Sequence, residues 1–215
     1  SLSAPGMDDI IIDIEAFKDS KAKITASVWK DKAPVIDCGD EIAKWFSQFL
    51  LEKDDGFRLV YYPSENPKPY ITKRIKKFPA ASGIDTGTLH DETSYMLMNL
   101  DSFDDLNTKI EKQVMPLQFR PNFVVKGPKA WEEDNFKWIK IGEQAVFKKL
   151  EPCLRCMLTT IDPSTGERNK NEEPIKTLKT FRVFNEIGKS PVFGIHLGLR
   201  AAGNVKSGDS VYVSV

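Results

Sequence analysis

Trp138-Ile-Lys-Ile-Gly-Glu-Gln-Ala-Val-Phe-Lys-Lys-Leu-Glu-Pro-Cys-Leu-Arg-Cys156 is the stretch on which the fold turns. Trp138 to Ile141 and Gln144 to Leu150 read as two strands joined across Gly142-Glu143, a hairpin. A cysteine strand follows, carrying Cys153-Leu-Arg-Cys156 with the apolar, β-branched run after Cys156 read as strand, and it leads into a polar turn from Asp162 to Pro174. A cysteine at such a strand mouth is held rigidly, and a fixed thiolate is a metal ligand or a nucleophile.

Outward from the hairpin, short β-rich runs recur. Ile10 to Phe17 and Lys21 to Trp29, the latter alternating Ala22, Ile24, Ala26 and Val28, predict an opening hairpin. Further strands are expected at Phe57 to Tyr62, Tyr95 to Leu100, Asn122 to Val125, Lys179 to Phe184 and Val192 to Leu197. A last one carries Val211, Val213 and Val215 after the Ser207-Gly-Asp209 turn. Two helices interrupt them. Ile42, Trp45, Phe46, Phe49 and Leu50 recur at helical spacing between Gly39 and Leu51, with Asp37 and Gly39 as caps and the aromatic stripe as core. Ser102 and Asp105 form a capping-box-like start for a helix carrying Phe103, Leu106 and Ile110 and ending before Pro116. Residues 63 to 87 read as a long loop. About eleven short strands and two helices argue for an α+β fold, mostly β and barrel-like.

Lys plus Arg and Asp plus Glu number 31 each among 215 residues. That balance removes a whole-molecule attraction to nucleic acid or an anionic membrane surface, so any anion site is local. Three cysteines cannot all pair, and a reducing compartment is favoured. No apolar run reaches the length of a membrane span, and no signal-like segment opens the chain.

The CxxC pair leaves several readings open. Half a zinc site would need partners that only Cys38, His90 and His196 offer, none in a second paired motif. A redox pair would sit between a strand and a helix, and two small core hydrophobes are the plainest alternative. Arg155 favours a thiolate at Cys156. Arg120-Pro-Asn122 and Glu92-Thr-Ser94 open two other strands with a guanidinium, an amide, a carboxylate and hydroxyls. Converging strand mouths of this kind would supply donors for a phosphate or a polar heterocycle. Taken singly, Arg120 reads as a surface residue, Thr93-Ser94 as a turn or cap, and the basic run from Lys73 to Lys77 as a solvated face.

Arg120-Pro-Asn122, Pro152-Cys-Leu-Arg-Cys156, Leu158-Thr-Thr-Ile-Asp-Pro-Ser-Thr-Gly166, the segment Glu173 to Arg182, Gly188-Lys-Ser-Pro-Val-Phe-Gly194 and Val205 to Tyr212 together resemble the MOSC domain family, and within it the mitochondrial amidoxime-reducing components. The resemblance implies a MOSC-type β-barrel with flanking helices over residues 91–215, preceded in 1–90 by the remainder of an N-terminal β-rich region with one helix and a long loop. It implies a pyranopterin molybdenum cofactor with Cys156 as the metal ligand and catalytic thiolate, and Thr93, Ser94, Arg120, Asn122 and Arg155 as cofactor-binding residues. Cys153 matches a family cysteine that is not the ligand.

The activity implied is reduction of N-hydroxylated substrates such as amidoximes, with electrons arriving from NADH through a flavin reductase and a b-type cytochrome. The location implied is the cytosolic face of the mitochondrial outer membrane. The alternative within the family is a cofactor-binding or sulfur-carrier module like the C-terminal domain of molybdenum-cofactor sulfurases. Glu92 stands where the family carries Asp, and Tyr95 where it carries Pro. The chain is further expected to start after the family's first β-rich segment, which holds the cofactor through a Lys-Ser pair and an Arg, and hence to be a cofactor-poor fragment.

Overall fold

The computed structural model describes residues 1–18, 20, 23–28, 31–63, 80–85, 89–90 and 92–215. The basic run from Lys73 to Lys77 and most of the long loop lie outside them. The chain divides into two compact units, Ser1–Tyr70 with Thr86–Asp91, and Ile71–Asp85 with Glu92–Val215.

The first unit holds α1 (Ile14–Lys18), β1 (Lys23–Val28), β2 (Asp31–Asp37), α2 (Asp40–Leu51) and β3 (Val60–Tyr61), with the strands in the order β1-β2-β3. The opening hairpin is thus one element later than its sequence pattern predicts. Asp13 Oδ1 accepts from the backbone N–H of Glu15 and Ala16 and starts a helical turn in place of the first strand. The α2 helix forms as its periodicity requires. Asp37 Oδ1 accepts from Gly39 N at 2.8 Å, and Arg58 bridges Asp37 and Asp40, holding the Asp37 carboxyl below its usual range. Its stripe is not all core. Ile42 is buried, Trp45 and Phe46 are half-buried, and Phe49 and Leu50 are 42% and 55% exposed.

The second unit is built on a six-stranded sheet of β4 (Tyr95–Asn99), β5 (Phe123–Val125), β6 (Trp138–Ile141), β7 (Ala145–Leu154), β8 (Val192–Ala201) and β9 (Val211–Ser214). Its order is β5-β4-β8-β7-β6-β9, antiparallel except for β4 with β5. With β5 and β9 at its edges the sheet is open, so the expected barrel is a half-barrel and the fold is α+β, mostly β. The predicted β6–β7 hairpin is present and pairs Ile141 with Ala145.

Both faces of this sheet are covered. Met96 and Met98 pack with Phe103, Phe119, Cys153 and Phe193, whereas Leu97 between them packs with Phe136, Ile139, Phe147, Ile195 and Leu197. Burial on both sides explains why β4 and β8 read as near-continuous apolar runs rather than alternating ones. At Gly194, φ is +78° and a Cβ would stand 2.6 Å from the Leu97 carbonyl oxygen, so β8 can approach β4 there only as glycine.

Three expectations are corrected in this unit. The run after Cys156 is a 3-10 turn, Met157–Thr160, because the Thr159 and Thr160 hydroxyls donate to the Cys156 and Met157 carbonyls and curl the backbone. Lys179 to Phe184 is not a strand; the preceding residues form α5 (Ile175–Lys179), and the chain turns after it. The helix assigned to Ser102 starts earlier, as α3 (Leu100–Asn107), capped by Asn99, whose Oδ1 accepts from Asp101 N. Ser102 Oγ instead donates to Glu133 at 2.8 Å and accepts from Trp131 N at 2.7 Å.

Glu133 is fully buried. Its Oε2 accepts from Asn99 and Ser102, while Oε1 has no partner among the described residues. Burial pushes its carboxyl above the ordinary range, with the neighbouring Asp134 adding to the rise. A raised carboxyl binds its proton more readily folded than unfolded. Its contribution is therefore full below the ordinary carboxylate range and is lost as pH rises through the folded value. Glu133→Gln, with its amide oxygen in the Oε2 position, is expected to raise the thermal midpoint at pH 7 and flatten that decline. Unfolding curves at pH 4, 5.5 and 7 check it, and a lower midpoint at pH 7 refutes it.

Candidate functional site

Arg120 stands at a strained corner. Pro116 opens α4 (Pro116–Phe119) at the first helical position, where its missing N–H costs nothing. The helix stops at Arg120, which takes the left-handed conformation at φ 54°, ψ 49°. Such a backbone costs a non-glycine residue about 1 to 2 kcal/mol, and the flanking contacts hold it. Asn122 locks onto β4 twice, its N–H donating to Met96 O at 2.9 Å and its Oδ1 accepting from Met96 N at 2.8 Å. The Arg120 side chain is exposed, and its guanidinium has no partner among the described residues.

The two cysteines part company. Cys153 is buried in the Met96–Phe193 cluster; Cys156 is exposed, and neither is in a disulfide. Cys156 heads the 3-10 turn, its carbonyl accepting from the Thr159 N–H and hydroxyl. Gln118 Nε2 of α4 donates to Thr159 O, which ties the turn headed by Cys156 to the helix that ends in Arg120.

Arg155 lies between them and points inward. Its Nε donates to Phe193 O at 2.7 Å and a terminal nitrogen to Phe119 O at 3.2 Å, while the other approaches the Met96 and Met98 sulfurs. Burial pulls its pKa down, opposed by the attraction of the Cys153 and Cys156 sulfurs. Arg155 therefore braces the residue before Arg120 against the core from behind. Thr93 is buried, with its hydroxyl against Tyr95 O and His196 Nδ1, and Ser94 is half-buried beside it.

Asn122 and Arg155 both meet Met96 on β4, and Thr93 meets His196 on the strand paired with it, whereas the Arg120 side chain joins none of these bonds among the described residues. Two participants carry no sequence signal for this site, His196 reading in the sequence only as a possible zinc partner. Gln118 is an ordinary helix residue, and His196 meets Thr93 across 103 positions. A cleft of about 220 Å³ opens beside the same α4 and 3-10 turn, lined by Lys112, Gln118, Thr160, Asp162 and Arg168. Hydrogen bonds from Ser164 and Lys112 hold the Asp162 carboxyl down at about 2.

The donor set suits a phosphate-bearing molybdenum pterin. It has one exposed soft thiol, one unengaged guanidinium, and the Asn122 amide N–H₂, which likewise has no partner among the described residues. A closed zinc site is not formed, since no group of three or more His, Cys, Asp or Glu among the described residues is placed to hold a metal ion. No helix among the described residues is long and apolar enough to cross a membrane.

Residues 85–212 match the sequence model of the MOSC domain, and residues 1–53 that of the MOSC N-terminal beta barrel domain. The chain is 37% identical over 219 residues to mitochondrial amidoxime reducing component 2 of Bos taurus, covering 100% of this chain and 63% of the relative. Identity to its Homo sapiens counterpart is 38% over 181 residues, 82% of this chain and 52% of the relative. Identity to mitochondrial amidoxime-reducing component 1 of Danio rerio is 34% over 214 residues, 99% and 63%. The chain thus spans between half and two thirds of the length of these relatives. The match over residues 1–53 corrects the expectation that the chain starts after the family's N-terminal β-rich segment.

Proposed function

Because the chain belongs to the MOSC domain family, we propose that it is the cofactor-binding part of a molybdenum-dependent oxidoreductase that reduces N-hydroxylated substrates such as amidoximes. One observation supports this above the others. The exposed thiol of Cys156 heads a turn bonded to the helix that ends in Arg120, whose guanidinium has no partner among the described residues. In this reading Cys156 is the metal ligand, Arg120 and Asn122 face the anionic and polar parts of the cofactor, Thr93 and Ser94 line the β4 mouth, and Arg155 supports the corner.

The bound cofactor supplies a two-electron redox centre. The overall balance is an amidoxime plus two electrons and two protons, giving an amidine and water. The protein contributes a fixed thiolate and a corner that holds the guanidinium in place before the cofactor arrives. By the same reading the electrons come from NADH through a flavin reductase and a b-type cytochrome. The parent protein acts on the cytosolic face of the mitochondrial outer membrane.

The test is the metal and pterin content of the full-length protein, with reduction of an aryl amidoxime as the activity. Arg120→Ala is expected to lower cofactor retention by a factor of about 10 to 100, since one charge-assisted bond is worth about 1.5 to 3 kcal/mol. Its thermal midpoint should fall little, because the side chain is exposed. A large drop in midpoint with normal molybdenum content would make Arg120 a structural residue.

A further inference from the structure

Thr93 and His196 are both buried, and Thr93 Oγ1 lies 2.8 Å from His196 Nδ1. The same oxygen lies 2.9 Å from the carbonyl oxygen of Tyr95. A carbonyl only accepts, so the single hydroxyl proton must lie between these two oxygens. The contact with Nδ1 then needs a proton from the ring, which makes His196 an Nδ1–H donor. Thr93 is left with one lone pair and no proton to offer a ligand.

We propose that His196 is a positioning residue of the cofactor site, turning Thr93 Oγ1 into an acceptor for an N–H on the edge of a nitrogen heterocycle rather than a donor to phosphate. The assignment rests on the reading of the site as a molybdenum-pterin pocket, and it divides the labour within it. Arg120 and the Asn122 amide supply donors for anionic oxygens, whereas Thr93 supplies the complementary acceptor. The backbone that carries the imidazole is fixed by the sheet. His196 pairs with Met96 on β4 and with Glu151 on β7, and the Met96 sulfur in turn touches the Arg155 guanidinium.

Two measurements on the full-length protein test it. In cofactor-free protein with ¹⁵N-labelled histidine, His196 is expected to show a protonated Nδ1, assigned by its loss in His196→Asn and perturbed in Thr93→Val. A bare Nδ1 with the proton on Nε2 alone overturns the proposal whatever the cofactor is.

Molybdenum and pterin content are then compared in purified wild type, His196→Leu and His196→Asn, with thermal midpoints alongside. Loss of an outer-shell partner is expected to lower retention about tenfold in His196→Leu. Asn, whose amide N–H can replace Nδ1–H, is expected to restore most of it at a similar midpoint. Full retention in His196→Leu, with loss in Cys156→Ala, overturns the positioning role and leaves the molybdenum reading standing. Absence of molybdenum from the wild type overturns the functional reading and this role together. If His196→Leu does not fold, the histidine spectrum and His196→Asn still decide.

Discussion

Cys156→Ala in the full-length protein is expected to abolish amidoxime reduction and strip molybdenum, whereas Cys153→Ala keeps most of both. The asymmetry follows from placement. Cys156 is exposed at the head of a backbone-locked turn, and under the proposed function it is the one protein atom bonded to the metal. Outer-shell changes alone typically cost about 10 to 100-fold in metal affinity or activity, so removal of the ligand should exceed that range. Cys153 is packed among Met96, Phe119 and Phe193, and its truncation leaves a small void worth about 1 to 2 kcal/mol. It should show as a lower thermal midpoint with activity retained. Equal loss of activity in both variants, with folding intact, would point to a dithiol mechanism and remove Cys156 as sole ligand.

Asp85→Ala is expected to cost the second unit about 3 to 5 kcal/mol, the usual penalty for leaving one member of a buried ion pair alone. Asp85 is almost fully buried and meets the Arg200 guanidinium with both oxygens, at 2.5 and 2.9 Å, while Oδ2 also accepts from Ser82 N at 2.8 Å. The carboxylate is pressed against β8. A Cβ at Gly198 would stand 2.0 Å from Asp85 Oδ1, so Gly198→Ala should expel it and cost a comparable amount. The double variant Asp85→Ala/Arg200→Leu should lose less than the sum of its parts, because the stranded charge is gone. Denaturant unfolding of the wild type, Asp85→Ala, Arg200→Leu, the double variant and Gly198→Ala checks this. A loss below about 1 kcal/mol in Asp85→Ala would place the pair with ordinary surface bridges.

Much of the β architecture was legible because its signals are local. The β6–β7 hairpin, β4, β5, β8, β9 and α2 follow from periodicity and turn chemistry within a dozen residues. The errors are local contests too. Asp13 capped a helical turn where a strand was expected, and the threonine hydroxyls curled the residues after Cys156. In each case a short polar side chain offered the backbone a nearer partner than a neighbouring strand.

By itself the sequence determined that this chain is mostly β, that its charge is balanced, and that an Arg-Pro-Asn corner and a CxxC pair are its chemical candidates. Its motifs also carried the family. Only the tertiary structure decided which of those groups face outward. Arg155 and Arg120 look alike as strand-mouth guanidiniums, yet one is spent on the carbonyls of Phe119 and Phe193 and the other is left open. Cys153 and Cys156 differ by three positions, yet one is core and the other exposed. The bonds of Thr93 to His196 and Asp85 to Arg200 join residues 103 and 115 positions apart. No local pattern encodes such meetings, because they exist only once β8 has inserted between β4 and β7 and buried polar groups have had to find partners there.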